Sequence, residues 1–224
     1  HTVAPMPPRE PGKGLSREGY ADAALAFIDS HGVEKLSLRM LGKQLGVHAT
    51  AVYRHFGSKN EVVEAALQRM FEREDIQIPE TGTPREQLLA ILRGLRGALR
   101  AHPNLALPNL SMQDEQATVE FVRVALALLE QMGLQGDDLV VAYQALETFT
   151  VGSNAYDWGD YPRGLEARRR GRRLVGHPAM DDASRSLESM TDINDGAFEM
   201  TAHALLDAIE RLADSVDGPV DGVR

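Results

Sequence analysis

Between residues 37 and 60 the chain carries four basic side chains and no acidic one. They are Arg39, Lys43, Arg54 and Lys59. This cluster stands out because the whole chain of 224 residues has a net charge of −9. Clustered cations on an otherwise acidic protein attract phosphate groups. The segment is therefore a candidate surface for a nucleic acid backbone.

The apolar spacing in this segment predicts two short helices joined by a tight turn. Ser37 is suited to cap the first helix, its leucines fall on one face, and Gly46 is suited to end it in a left-handed conformation. The second helix, over residues 49–56, turns Val52 and Phe56 inward and leaves its polar side chains free to meet a partner.

Two longer helices are predicted on either side of this pair. One is capped by Ser16 and stops at Gly32, and the other opens with a capping box over residues 58–61. A helix of two turns is unstable alone, so the flanking helices must support it by packing. The pattern is that of a helix-turn-helix.

The stretch LSLRMLGKQLGVHATAVYRHFGSKNEVVEAAL resembles the DNA-binding signature of the tetracycline-repressor (TetR) family of bacterial transcriptional regulators. A looser resemblance to the C-terminal ligand and dimer domain of that family runs through HPNLALPNL, LLEQMGL, AYQALETFTVG and FEMTAHALLDAIERL. The resemblance implies a homodimeric repressor that binds palindromic operator DNA and is released by a small-molecule effector.

The resemblance also implies roles for individual side chains of the motif. Tyr53, His55 and Lys59 resemble phosphate-contacting positions, and Lys59 lies at a helix N-terminus whose dipole attracts anions. Thr50 and Arg54 are candidates for base contact, because an arginine can form a bidentate pair with guanine.

Four further positions of the motif complete the prediction. Arg39 is suited to phosphate or base contact, while Ala49 and Ala51 either meet a thymine methyl group or act only as small spacers. His48 departs from the family, which usually has a small capping residue there. It is seven residues from His55 with no third ligand nearby, so no metal site is expected.

Composition and charge divide the chain into two domains. Residues up to 60 hold eight Lys or Arg against five acids, whereas the remainder holds sixteen against twenty-eight. The apolar spacing is helical almost throughout, so an all-α fold is expected. The predicted parts are a disordered N-terminal arm over 1–14, a helix-turn-helix domain over 15–75, a ligand-binding and dimerisation domain over 83–215, and a disordered tail over 216–224.

A polar set on an apolar helix marks the candidate effector site. Tyr143, Glu147 and Thr150 share one face of the helix predicted over 137–158. Such a stripe is ordinarily core, but the resemblance implies a ligand cavity. The apolar residues expected around it are Phe71, Leu92, Leu110, Met112, Phe121 and Val122. An acid in this setting needs a partner, so the expected effector carries a donor or a cation on an apolar body.

Dimerisation is expected through the two longest C-terminal helices, over 137–158 and 195–215. Phe198, Ala202, Leu205 and Ile209 share one side of the second helix and are the predicted dimer interface. Two copies of each helix would form a four-helix bundle. Tetracycline itself is not expected, because the tetracycline-binding members hold magnesium through a His where this chain has LALPNL.

Other classes of protein are disfavoured. The chain has no cysteine, which excludes disulfides and fits a reducing cytoplasm. No apolar run approaches the roughly 20 residues that span a bilayer. GxSxG, Walker, HExxH and dinucleotide-binding motifs are absent, so a cytoplasmic protein without catalysis, cofactor, metal or membrane contact is expected.

Two alternatives remain open at this level. The six arginines between residues 163 and 173 form either a second phosphate site or, more simply, a solvated helix end or loop. The chain as a whole is either a repressor or a helical small-molecule-binding protein or enzyme whose N-terminal helices are an interaction module. Duplex binding with a steep salt dependence distinguishes the repressor from the module.

Overall fold

The computed structural model describes residues 15–74, 76, 79–105, 116–158 and 163–216, and within these ranges all regular structure is helical. The all-α prediction is therefore confirmed. The α-helices are α1 (Arg17–His31), α2 (Leu38–Leu45), α3 (Ala49–Tyr53), α4 (Lys59–Glu74), α5 (Pro84–Ala101), α6 (Gln116–Gln131), α7 (Gly136–Trp158), α8 (Arg163–Arg173), α9 (Pro178–Ala183) and α10 (Leu187–Val216).

The first four helices surround one hydrophobic core. α1 begins at the predicted cap, where the Ser16 hydroxyl accepts a hydrogen bond from the Gly19 amide, and it ends at Gly32, whose φ is 84°. α1 packs against α4, so the two long helices support the short α2 and α3. The largest fully buried side chains of this core are Leu25, Ile28, Leu41, Phe56 and Met70.

α5 belongs to two cores at once. Its first half contributes Leu88 and Leu92 to the core of the C-terminal domain. Its last turn contributes Ala98 and Leu99 to the core of the DNA-binding unit, together with Leu105 just beyond the helix. The predicted boundary at residue 83 marks the start of a helix, but the packing unit of the first domain continues past it.

The C-terminal domain packs α5, α6, α7 and α10 around a second core. α5 is also joined to α10 by ion pairs along its length. Its four arginines pair with acids of α10: Arg85 with Asp207 and Glu210, Arg93 with Glu199, and both Arg96 and Arg100 with Asp195. The distances, from 2.6 to 3.2 Å, are those of direct hydrogen-bonded pairs.

Helix boundaries differ from the prediction in several places. α3 ends at Tyr53, three residues before the predicted end at residue 56. The last helix begins at Leu187, eight residues before the predicted start at Asp195. The arginine-rich segment is a regular helix, α8, in which Arg169 donates from its Nε and Nη2 to the two carboxylate oxygens of Glu166, at 2.8 and 2.7 Å. The predicted arm over 1–14, residues 106–110 of the LALPNL stretch, and residues 217–224 of the predicted tail lie outside the described residues.

Candidate nucleic-acid interface and effector region

The turn between α2 and α3 has the tight geometry of a helix-turn-helix. Gly46 ends α2 with φ 66° and ψ 28°, which is the left-handed conformation that glycine adopts without strain. The Val47 amide then donates to the Gly42 carbonyl at 2.9 Å. A Cβ on Gly42 would lie 3.1 Å from the Val47 carbonyl oxygen, so the small residue at this position allows the two helices to approach closely.

His48 caps the recognition helix α3. Its Nδ1 accepts a hydrogen bond from the Thr50 amide at 3.4 Å and lies 3.0 Å from the Thr50 hydroxyl. The imidazole therefore takes the position that a Ser or Thr side chain usually occupies at a helix N-cap. His48 therefore caps α3 although its residue type differs from the family pattern.

The exposed side of the motif carries most of the predicted DNA-contacting residues. Arg39, Thr50, Tyr53 and Arg54 are exposed, and Tyr53 retains 52% of its surface. Val52 is fully buried on the opposite side of α3 and anchors the helix to the core.

The cations of the motif are available to a partner. Among the described residues, no acid forms an ion pair with Arg39, Lys43, Arg54 or Lys59. Lys59 is half-buried at the first position of α4, and Ala49 is half-buried at the first position of α3. The arrangement leaves positive charge that no described acid neutralises.

His55 is placed differently from the other candidates. It is half-buried, and its ring lies against Tyr20 with 5.0 Å between the centroids. Arg17 donates to the His55 carbonyl and stacks over the Phe56 ring at 4.4 Å. These contacts fix the end of the recognition helix on α1. Sequence reasoning missed Arg17, because a contact over 38 residues leaves no periodic signal.

The N-terminus of α4 differs in one bond from the predicted capping box. The Ser58 hydroxyl accepts from the Glu61 amide at 3.2 Å, as expected. The Glu61 carboxylate, however, accepts from the amide of Gly57 at 3.0 Å rather than from that of Ser58. The carboxylate thus holds the chain between α3 and α4.

Several of the predicted effector-binding residues join the two domains. Phe71 on α4 and Phe121 on α6 have ring centroids 5.3 Å apart. Phe121 and Tyr143 both pack against the second core, in which Leu92 is fully enclosed. Val122 is half-buried, and Leu110 and Met112 lie outside the described residues. The aromatic pair is a direct contact between the DNA-binding unit and the C-terminal domain.

Glu147 already has partners on its own helix. The Tyr143 hydroxyl donates to its Oε1 at 3.1 Å, and the Gln144 amide donates to its Oε2 at 2.8 Å. Burial, together with the charge of Glu147, raises the pKa of Tyr143 to about 12. Thr150 is buried, but its hydroxyl donates to the Leu146 carbonyl, so this donor is used within α7.

Sequence reasoning also missed two buried amides beyond Thr150. Asn154 on α7 is 1% exposed and Asn194 on α10 is 3% exposed. Asn154 donates to the Thr150 carbonyl at 2.7 Å. The Asn154 Oδ1 and the Asn194 Nδ2 have no hydrogen-bond partner within the described part of the chain. The buried faces of α7 and α10 therefore become polar at this end of the domain.

The predicted dimer interface needs a correction. Phe198, Ala202 and Ile209 are at most 3% exposed and belong to the core of their own chain, where Phe198 stacks on Phe149 at 5.1 Å. A second chain cannot reach them. Only Leu205 of the predicted set is partly exposed.

A different side of α10 is open. Together with α7 it forms a groove of about 660 Å³, lined by Val141, Gln144, Ala145, Thr148, Phe149, Thr201, Ala204 and Leu205. Exposed apolar side chains continue along both helices, with Val140 at 59%, Val141 at 60% and Met200 at 71% exposure. Of the predicted interface residues, Leu205 lines this groove.

The chain combines a helix-turn-helix, whose cations pair with no described acid, and an all-helical second domain. This combination is typical of bacterial transcriptional regulators. The family described as "Bacterial regulatory proteins, tetR family" matches residues 21–66, and "Tetracyclin repressor-like, C-terminal domain" matches residues 78–212. The second match alone covers more than half of the chain. The chain belongs to the TetR family of bacterial transcriptional regulators.

Two relatives illustrate the similarity in sequence. A helix-turn-helix transcriptional regulator of Saccharopolyspora erythraea is 32% identical over 145 residues, which cover 62% of this chain and 59% of that protein. The chain thus aligns with less than two thirds of this relative. The class A tetracycline repressor of transposon 1721, from Escherichia coli, is 26% identical over 89% of this chain and 94% of its own length.

Two solved structures illustrate the similarity in fold. A possible TetR family regulator from Streptomyces coelicolor A3(2) has a TM-score of 0.73 and 26% identity, over 88% of this chain and 100% of that one. ActR from Streptomyces coelicolor, in complex with actinorhodin, has a TM-score of 0.66 and 20% identity, over 89% and 98%. None of the helices in the described part has the length and apolar composition of a membrane span.

Proposed function

We propose that this TetR family regulator is a homodimeric repressor that binds a palindromic operator through α3 and releases it when a small molecule binds the C-terminal domain. The observation that carries the proposal is the bare positive charge of the helix-turn-helix. Arg39, Arg54 and Lys59 meet no described acid, while Tyr53 is exposed beside them. Phosphate groups supply the missing counter-charge.

The dimer is proposed to form through the groove between α7 and α10. The exposed side of α10 carries small residues at Gly196, Ala197, Ala204 and Ala208. Small residues let helix backbones approach closely, and the flanking valines and Met200 supply apolar area. Two copies would place α3 in successive major grooves, roughly 34 to 36 Å apart, which requires a two-fold symmetric operator.

The effector is proposed to bind beside the contact between α4 and α6. Phe71 moves with the DNA-binding unit and touches Phe121, so a molecule that displaces either ring also tilts α4. Glu147 and Tyr143 offer polar anchoring groups nearby on the same core, and the effector is a donor or cation on an apolar body. ActR, which shares the fold, is known in complex with actinorhodin.

Operator binding is tested by selecting duplexes from a random-sequence pool with the full chain. The affinity for the selected duplex should fall steeply between about 50 and 200 mM salt, as expected when several phosphates are neutralised. Arg163→Ala, which removes an exposed arginine of α8 from the second domain, is the matched control and should keep the same salt slope. A pool that yields no enriched duplex contradicts the proposal.

The effector is tested by thermal-shift screening followed by operator release. A stabilising compound should weaken operator binding, and operator DNA should weaken the compound's binding by the same factor, because coupling is reciprocal. Glu147→Leu should lower the compound's affinity without changing operator affinity. Glu130→Leu, an exposed acid on α6, should do neither. An unchanged effector affinity in Glu147→Leu contradicts the assigned anchor.

A further inference from the structure

Three helices meet at His102, immediately after α5. The His102 Nδ1 lies 2.9 and 3.0 Å from the two carboxylate oxygens of Asp29 on α1. Its Nε2 lies 3.3 Å from the carboxylate of Glu74, the last residue of α4. Only 13% of the side chain is exposed. The His102 imidazole thus contacts α1 and α4, the two helices that flank the helix-turn-helix.

Both ring nitrogens of His102 face a carboxylate, an arrangement that favours a proton on each nitrogen. The imidazolium has two N–H donors, whereas neutral imidazole has one donor and one acceptor. Burial opposes the charged form, but the hydrogen bond and charge of Asp29, reinforced by Glu74, outweigh it and raise the pKa of His102. Loss of the proton therefore leaves one of the two carboxylates facing a lone pair.

The neighbouring charged groups do not replace this proton. Arg73, next to Glu74, pairs with Asp22 at 3.0 Å. Arg100, in the last turn of α5, pairs with Asp195 at 3.2 Å. Asn104 donates to the backbone carbonyl of Asp29 at 2.9 Å and leaves its carboxylate to His102.

The end of α4 has a second attachment that does not depend on pH. Ile76, two residues beyond Glu74, packs against Gly94 of α5, where an added Cβ would lie 2.5 Å from the Ile76 Cγ2. This contact keeps α4 near α5 when His102 is neutral. Deprotonation should therefore loosen the junction without separating the domains.

We propose that protonated His102 is a positioning residue for operator binding, which holds α1 and α4 in a fixed pose on α5 and makes operator affinity fall as pH rises. The inference rests on the proposed operator binding. A fixed pose favours binding because less conformational freedom is lost when two recognition helices must match two half-sites. The histidine acts through Asp29 and Glu74 and does not touch DNA.

The test compares pH profiles of full-length variants on the selected duplex. Between about pH 6 and 8.5, the affinity of the unmodified chain should fall by about fivefold more than that of His102→Gln, which cannot titrate. His102→Arg, whose two donors stay charged, should keep high affinity at the upper pH. His31→Gln is the matched control, since His31 stacks on Phe27 and bonds only a backbone carbonyl there.

A thermal readout separates this inference from the proposed function. His48 and His55 lie in the helix-turn-helix and are the same in every variant, so only the difference between the pH profiles counts. The melting temperature of the unmodified chain should exceed that of His102→Gln at low pH, with the gap closing as pH rises, because a raised pKa adds stability that is lost above it. Parallel melting profiles overturn the inference, as do parallel affinity profiles. If no duplex is enriched at any pH, operator binding fails while the melting profiles still decide the role of His102.

Discussion

The arginines of α5 and the cations of the helix-turn-helix have the same charge, but they differ in whether an acid faces them. Each of the four arginines of α5 pairs with an acid of α10. The four cations between residues 37 and 60 pair with no acid in the described part of the chain. A basic cluster therefore points to an outside partner only when the protein provides no facing acids.

α10 repeats this contrast on its two sides. The side towards α5 is occupied by paired acids, whereas the side lining the groove with α7 is bare and rich in small residues. If the helix-turn-helix cations and the groove bind partners, mutations there should change binding. If the ion pairs between α5 and α10 stabilise the fold, mutations there should change the free energy of unfolding.

The largest effect is expected from a charge placed in the groove. Ala204→Glu should give monomers by buried-charge repulsion between two copies. Operator affinity should then fall by about a hundredfold or more, because two linked half-site contacts become one. Sedimentation and operator titration measure both effects. Ala167→Glu, on an exposed position of α8, is the control, and a dimeric Ala204→Glu would show that the groove is not the interface.

The next effect concerns the paired surface. Arg96 has only 7% of its side chain exposed, bonds Asp195 at 2.8 Å and lies 4.5 Å over the Phe198 ring. Arg96→Ala should lower the free energy of unfolding by about 2 to 3 kcal/mol, less than a fully buried pair because Asp195 is half-exposed. Denaturant unfolding measures this. A decrease in the free energy of unfolding below about 1 kcal/mol would show that the Arg96–Asp195 pair contributes no more than an exposed ion pair.

Mutations of the unpaired cations of the helix-turn-helix should lower operator affinity by a comparable amount and leave the free energy of unfolding unchanged. Arg54→Ala should lose about 1 to 3 kcal/mol of operator affinity and relax base choice. Lys59→Ala should weaken all duplexes alike and flatten the salt slope by about one unit. Competition between the selected and a scrambled duplex separates the two variants. Equal affinity in both variants and the unmodified chain would remove these residues from the interface.

The smallest effect is expected at an exposed pair of the α5 surface. Arg93 donates to Glu199 at 2.9 and 2.6 Å, and these hydrogen bonds lower the pKa of Glu199 from its ordinary value. Arg93→Ala should cost about 1 kcal/mol or less, since the pair is half-exposed. A carboxyl whose pKa is lowered in the folded state adds stability that is fully present above its ordinary pKa. The difference from the unmodified chain should therefore disappear as pH falls through the lowered pKa of Glu199. Unfolding at pH 7 and at low pH checks the sign.

The helix-turn-helix was predictable from sequence because its signals are local. The Ser37 hydroxyl caps α2 by accepting from the amide of Met40, three residues later. Gly46 ends α2 through its left-handed backbone conformation. The apolar positions recur every three or four residues and identify the buried face of each helix. His48 as the cap of α3 was the local exception, since imidazole is an uncommon N-cap and its role depends on the orientation of Nδ1.

The partner surface of α10 was not predictable in the same way. The large apolar residues Phe198 and Ile209 mark the broad stripe of the helix, and that stripe is used by the chain's own core. Apart from Met200 and Leu205, the side of α10 that lines the groove carries mainly Gly, Ala and Thr, which contrast little with solvent-facing residues. The pairing of α5 with α10 was equally hidden, since its partners are about a hundred residues apart. The partners of Glu147 were hidden as well, because hydrogen bonds within one helix turn are not visible in a polarity pattern.

The sharing of α5 between two cores has a consequence for folding. Ala98, Leu99 and Leu105 complete the apolar interior of the first four helices, although they follow them in the chain by more than twenty residues. A fragment ending at Glu74 would expose the surface that these side chains cover, and would lose cooperative stability with it. Calorimetry of the full chain should therefore show one shared unfolding transition, and the excised N-terminal fragment should melt broadly, as an incomplete folding unit does.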